Sequence, residues 1–293
     1  MTKIRSGSSG SIRDRRGQGG GGLSMGGGGF PIPMKAGGGV LGIIVLLATI
    51  FLPKLLGGVS GSSAADVSPS EEATDEEVDC PTEIEQIVCG AVNEVEAYWA
   101  EQLPLSFDVQ YEPTDTVFFT GFTNTGCGQA SSQTGPFYCP LDNLVYFDLD
   151  FLVQLQDQLG ATGDLAAQYI VAHEYGHHIQ NVLGINAQMH EAQQNDPDRA
   201  NQYSIALELQ ADCFAGAWAR DVANEGKFDN PQEVDEALNA AAAVGDDRIQ
   251  QQTQGRVSPE TWTHGSSEQR VEWFRRGFDS ADPGSCDTFA EIV

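Results

Sequence analysis

Residues 168–184 read QYIVAHEYGHHIQNVLG, and they contain His173-Glu174-Tyr175-Gly176-His177, an H-E-x-x-H pattern. On a helix, residues four apart share one face, so the two imidazoles can reach a single zinc ion. Glu174 adjoins the first of them without competing for the metal, and it can take the proton of a water that the ion activates. The competing reading is a solvated face that happens to carry these three residues. Apolar Ile170, Val171 and Ile179 around them argue against it, because a buried helix has little other use for so many histidines.

Two histidines leave a catalytic zinc site one protein ligand short. His178 adjoins His177 and points about 100° away on a helix. His190 lies in the polar stretch AQMHEAQQNDPDR, which reads as a solvated loop. Glu208 is the better third ligand. In Ile205-Ala-Leu-Glu208-Leu-Gln-Ala-Asp212 two carboxylates stand four apart on a helix otherwise rich in Ala, Leu, Phe and Trp. They are costly there without partners. Glu208 on zinc and Asp212 hydrogen-bonded to a ligand imidazole would satisfy both. Ion pairs with Arg220 or Arg248 are the alternative. Downstream, Thr261-Trp-Thr-His264-Gly-Ser-Ser-Glu-Gln-Arg270 places a histidine in a turn before a short helix. His264 is the candidate for stabilising the oxyanion of a cleaved peptide bond, with Arg270 as helper or orienting partner.

The chain has 293 residues and a net charge of −27. Residues 1–57 hold seven basic residues and one acidic residue, whereas residues 58–293 hold eight basic against forty-one acidic. Such a surface repels nucleic acid, which is excluded as a partner. Residues 1–35 are Gly-rich and basic and are expected to be a disordered cytoplasmic tail. Residues 36–56 are expected to be one transmembrane helix, with Lys54 snorkelling at its far edge. The positive charge before it places the N-terminus in the cytoplasm and the remainder outside, although a cleaved signal peptide is the rival reading. Residues 57–79 read as an acidic flexible linker, and residues 80–293 as the folded domain.

Six cysteines on the exported side, Cys80, Cys89, Cys127, Cys139, Cys213 and Cys286, read as up to three disulfides. Candidate pairs are Cys127 with Cys139 and Cys213 with Cys286. Helical periodicity is expected over 82–102, 163–182, 201–225, 231–249 and 267–277. Short strands are expected at Phe107–Tyr111, Thr116–Phe119, Phe137–Tyr138 and Leu144–Leu149.

The SMGGGGF N-terminal segment, TGCGQA at 125–130, GPFYCP at 135–140, HEYGHHIQ, ELQADCFAGAWA and THGSSEQRVEWF together resemble the bacterial putative neutral zinc metallopeptidase family. That resemblance implies an α+β, zincin-like domain: a helical framework with a small antiparallel sheet beside the H-E-x-x-H helix. It implies Zn2+ as cofactor and a peptide or protein as substrate, and the likeness extends over the expected single-pass anchor in a bacterial cell membrane. The Glu208…Asp212 spacing is similar to the Glu-x-x-x-Asp element of gluzincins. THGSSEQR resembles their Thr-His-Pro…Arg element, with Gly265 where proline is usual. A substrate strand is expected to pair with a sheet edge from the Thr116–Tyr146 region. Two rival functions are hydrolysis of cell-wall peptide amides and a non-catalytic, zinc-containing binding or scaffold role. A retained Glu174 argues against the second, because a structural zinc site has no use for a base.

Overall fold

In the computed structural model, residues 3–17, 77–153, 164–228 and 233–292 are described. Helix α1 (Glu83–Phe107) begins at a capping box, in which the Thr82 side chain accepts from Glu85 N–H and the Glu85 carboxylate accepts from Thr82 N–H. Val88, Val92, Val95 and Trp99 form its fully buried stripe. Leu103 and Phe107 extend that stripe at helical spacing, so the helix runs through Pro104 and ends at Asp108 in the left-handed conformation. For this reason Phe107–Tyr111 is not the strand that its alternation suggests.

A four-stranded sheet lies beside the helices in the order β2 (Ile12–Asp14), β4 (Asp115–Phe119), β8 (Leu144–Asp148), β7 (Phe137–Cys139). It corrects the antiparallel expectation. β2 pairs parallel with β4 and β4 parallel with β8, and only the β7–β8 pair is antiparallel. Its middle strands are buried along almost their whole length, as parallel strands covered on both faces are. Two small antiparallel pairs flank it: β1 (Ser8–Ser9) with β3 (Val78–Asp79), and β5 (Phe122–Thr125) with β6 (Gly128–Ser131).

Residues 3–17 therefore do not form the disordered tail expected from their composition, and residues 78–79 of the expected linker are a strand. Ile4 and Ile12, the only large apolar side chains of this arm, are 2% and 4% exposed. Composition misses them because their partners lie far along the chain. The expected span 36–56, and most of the tail and linker around it, fall outside the described residues. Among the described residues no helix is long and apolar enough to cross a membrane.

The helical part consists of α2 (Asp164–Val182), α3 (Ile185–Asn195), α4 (Ala200–Asn224), α5 (Glu233–Ala243), α6 (Asp246–Gln254), α7 (Ser267–Ser280) and α8 (Phe289–Ile292). The single helix expected at 231–249 is two. Gly245 is extended between them, and a Cβ there would lie 2.4 Å from the backbone nitrogen of Ser267. His190 lies exposed on α3 and not in a loop. Three disulfides, Cys80–Cys89, Cys127–Cys139 and Cys213–Cys286, use all six cysteines.

Helices α4 and α7 cross at backbone contact. A Cβ on Gly277 would stand 1.8 Å from the Cys213 carbonyl oxygen, and one on Gly216 would stand 2.0 Å from that of Phe274. Gly277→Ala must push the helices apart. The expected cost is about 2–3 kcal/mol of stability, read as a lower denaturant midpoint at unchanged slope.

Candidate active site

Helix α2 carries His173, Glu174 and His177, and α4 carries Glu208 and Asp212. The two helices come together at small residues. Gly176 faces Ala211, whose Cα would lie 3.0 Å from a Cβ at 176. The glycine inside H-E-x-x-H thus admits the helix that carries the carboxylates.

Each imidazole is held by its Nδ1 so that Nε2 is turned inward. His173 Nδ1 lies 2.9 Å from Asp212 Oδ1, and His177 Nδ1 lies 2.9 Å from Gln180 Oε1. Gln180 is itself fixed by donating to the Leu207 carbonyl at 2.7 Å. The Glu208 carboxylate meets both Nε2 atoms, at 3.2 Å from His173 and 3.5 Å from His177. One ligand atom from each of these three residues lies within 4.8 Å of the others, which makes them a group able to hold a metal ion. His178 points the other way, where its Nε2 reaches the Glu112 carbonyl at 2.6 Å.

Asp212 has no exposed surface and is answered on both oxygens. Arg270 grips it through Nε at 2.8 Å and Nη2 at 2.9 Å, and Tyr169 donates its hydroxyl at 2.5 Å. Arg270 is thereby an orienting partner of Asp212, 3.8 Å from Glu208. Arg220, weighed above as an ion-pair partner for these carboxylates, instead donates to the Phe278 carbonyl and lies over that residue's ring.

His264 is 3% exposed, in the turn between α6 and α7. Asp246 holds the whole turn. One of its oxygens accepts from the N–H groups of Thr263, His264 and Gly265 at 2.8, 2.7 and 3.2 Å, and the other lies 3.2 Å from His264 Nδ1. Gly265 has φ of +90°, which explains the departure from Thr-His-Pro, since a proline ring fixes φ near −65°. Glu174 is 8% exposed and accepts a hydrogen bond from the backbone N–H of Tyr138 on β7.

The electrostatics call for a cation. Glu208 and Asp212 are buried carboxylates that share one buried guanidinium, that of Arg270, and Glu174 is buried beside them. Although burial disfavours its charge, Asp212 and Glu208 raise the His173 imidazole to about 9. Burial works against the Glu208 carboxylate too, yet His264, His177 and His173 hold it well below the usual carboxylate range. Burial pushes the Glu174 carboxyl up, as suits a group that must accept a proton. Two imidazoles and a carboxylate with their inner atoms converging, and with both Nδ1 atoms already engaged, are a donor set suited to zinc.

Sequence reasoning missed Asp246, Tyr169, Gln180 and the Tyr138 amide. Tyr169 and Gln180 were within reach of it, four residues before His173 and three after His177 on the same helix. Asp246 carried a weaker signal, a carboxylate directly after an alanine-rich helix.

Residues 1–289 match the family described as Putative neutral zinc metallopeptidase. The chain is 42% identical over 289 residues to the uncharacterized protein YpfJ of Escherichia coli (strain K12), covering 96% of each. It is 47% identical over 208 residues to the uncharacterized protein Rv2575 of Mycobacterium tuberculosis (strain H37Rv), covering 68% of each. No solved structure matches.

Asp246 offers a direct test of the turn. Burial raises its pKa, but bonds from His264 and from the backbone amides outweigh this and lower it below the model-peptide value near 3.8. Its contribution is therefore complete above pH ~4 and is lost as pH falls through the lower folded-state value. Asp246→Asn is expected to lose roughly 1–3 kcal/mol at neutral pH. In paired denaturation curves, the gap from wild type should close as the buffer is taken below pH ~4.

Proposed function

The chain belongs to the putative neutral zinc metallopeptidase family, and on that footing we propose that it hydrolyses peptide bonds, with Glu174 as general base and His264 as oxyanion donor. The observation that carries this reading is the convergence of His173, His177 and Glu208 within 4.8 Å, with Glu174 beside them. The three residues would hold the ion, and a zinc ion bound there supplies a Lewis acid and acidifies water. Glu174 takes the proton from the attacking water and returns it to the leaving amine. The raised affinity of its buried carboxyl for a proton supports this shuttle. His264, fixed by Asp246, donates a hydrogen bond to the oxygen that gains negative charge. Asp212, gripped by Arg270 and Tyr169, keeps the His173 ring in one tautomer and orientation.

Strand β7 supports a place for the substrate. It ends the four-stranded sheet among the described residues, and the outward-turned amide of Tyr138 already reaches Glu174. An extended peptide added to this edge would lay its scissile bond across the site. We further propose that the domain works outside the cytoplasm, a reading supported by three disulfides and no free cysteine among the described residues.

The decisive experiment loads wild type, Glu174→Gln and His177→Ala with zinc and exposes each to a mixed-sequence peptide library. Glu174→Gln is expected to keep its zinc while kcat/KM falls by about 10²–10⁴, and His177→Ala to lose the metal. Cleavage by Glu174→Gln at the wild-type rate would overturn the role given to Glu174. His264→Phe tests the oxyanion donor. It should lower kcat by roughly 10²–10³ with KM little changed, and a rise in KM alone would assign His264 to substrate binding.

A further inference from the structure

Residues 3–17 precede the apolar segment 36–56 in the chain, yet they are built into the domain that follows it. Three elements of that domain are shaped to receive them. On α1, Gly90 lets the arm pass at backbone contact, since a Cβ there would lie 2.8 Å from the Arg5 backbone. Glycine inside a helix is less favourable than alanine, and the close passage of the arm accounts for its place here. On α2, the helix that carries the H-E-x-x-H residues, fully buried Gln168 donates to the Ile4 carbonyl at 2.8 Å, and Asp164 pairs with Arg5 at 2.7 Å. On β4, Thr116 N–H donates to the Ser11 carbonyl at 2.8 Å, and the Phe118 carbonyl accepts from Arg15 N–H at 2.9 Å. Charge follows the same division. The arm carries Lys3, Arg5, Arg13, Arg15 and Arg16 against Asp14 and meets an acidic domain. Arg13 pairs with Asp115, and Arg16 with Glu85.

We infer that the N-terminal arm and the peptidase domain lie on the same side of the membrane. A single crossing by residues 36–56 would put Ile12 and Thr116, which are paired strand neighbours, on opposite faces of a bilayer. The arm cannot fill the groove between α1, α2 and β4 from there. The cytoplasmic N-terminus expected from the charge of residues 1–35 is therefore replaced by an N-terminus that shares the domain's compartment. Three of the basic residues that suggested it, Arg5, Arg13 and Arg16, are answered by carboxylates of the domain. This inference stands independently of the peptidase reading, and its test does not measure cleavage.

All six native cysteines are paired, so an introduced cysteine is a unique free thiol among the described residues. Gly10→Cys sits on the arm, where an added Cβ meets open space, and Gln251→Cys is exposed on α6. Each full-length variant is treated in intact cells with a membrane-impermeant maleimide. Equal labelling of the two, or equal protection until lysis, is expected. Labelling of one and protection of the other would overturn the inference. Ser9→Cys reports docking, because Ser9 is 1% exposed. After lysis without denaturant it should label at least about tenfold more slowly than Gly10→Cys, and equal rates would show an undocked arm and sink the idea. Hydrogen exchange on the unsubstituted full chain gives the same answer without any mutation. The Arg15 amide is expected to exchange about a hundredfold more slowly than an open chain, and open-chain exchange there would count against docking.

Discussion

A carboxylate with no exposed surface has to be met on both oxygens or it will not stay ionised, and Asp212 is such a group. Its three partners come from two other helices. His173 and Tyr169 lie on α2, Arg270 on α7, and Asp212 itself on α4. Removing any one of them leaves a buried charge under-satisfied, so the three helices have one relative placement in which this cluster is stable. That same placement turns the His173 Nε2 toward Glu208. The orientation of the inner donors is thus a by-product of how the outer charges are neutralised.

Such proximity needs backbones that can touch. Gly176 opposite Ala211 sets the distance between α2 and α4, and Gly216 with Gly277 sets that between α4 and α7. The Cys213–Cys286 disulfide lies one residue beyond Asp212 and closes a loop of 73 residues around this crossing. In the chain-entropy account, a loop of that length is worth about 4 kcal/mol. Small residues, a covalent staple and a buried ion cluster therefore act on the same three helices, and each makes the others' geometry less costly to hold.

Local pattern made much of this legible in advance. The spacing of His173, Glu174 and His177, and of Glu208 and Asp212, follows from helical period alone, and the structure brings these side chains together. Periodicity also marked the helices that carry them. What stayed hidden depends on partners distant in sequence. Asp246 gains its role only when its carboxylate closes on the amides of residues 263–265. Parallel strands carry no turn signal between neighbours, so the pairing of β4 with β8 could not be seen in either segment. The arm was the largest omission. Two isoleucines among glycines, serines and arginines look like disorder until the groove that takes them is known.

Strand β2 is made early and must wait for its partner. Its neighbour β4 lies about a hundred residues further on, and the helix that receives Ile4 and Arg5 follows later still. Closing so long a loop costs entropy before any contact returns it. During synthesis, then, the start of the chain waits unpaired at least until residue 168 has emerged. The arm also braces the first turns of α2, whose later turns carry the metal ligands. The helix that carries the candidate metal ligands therefore gains this support only once the two ends of a long loop have met.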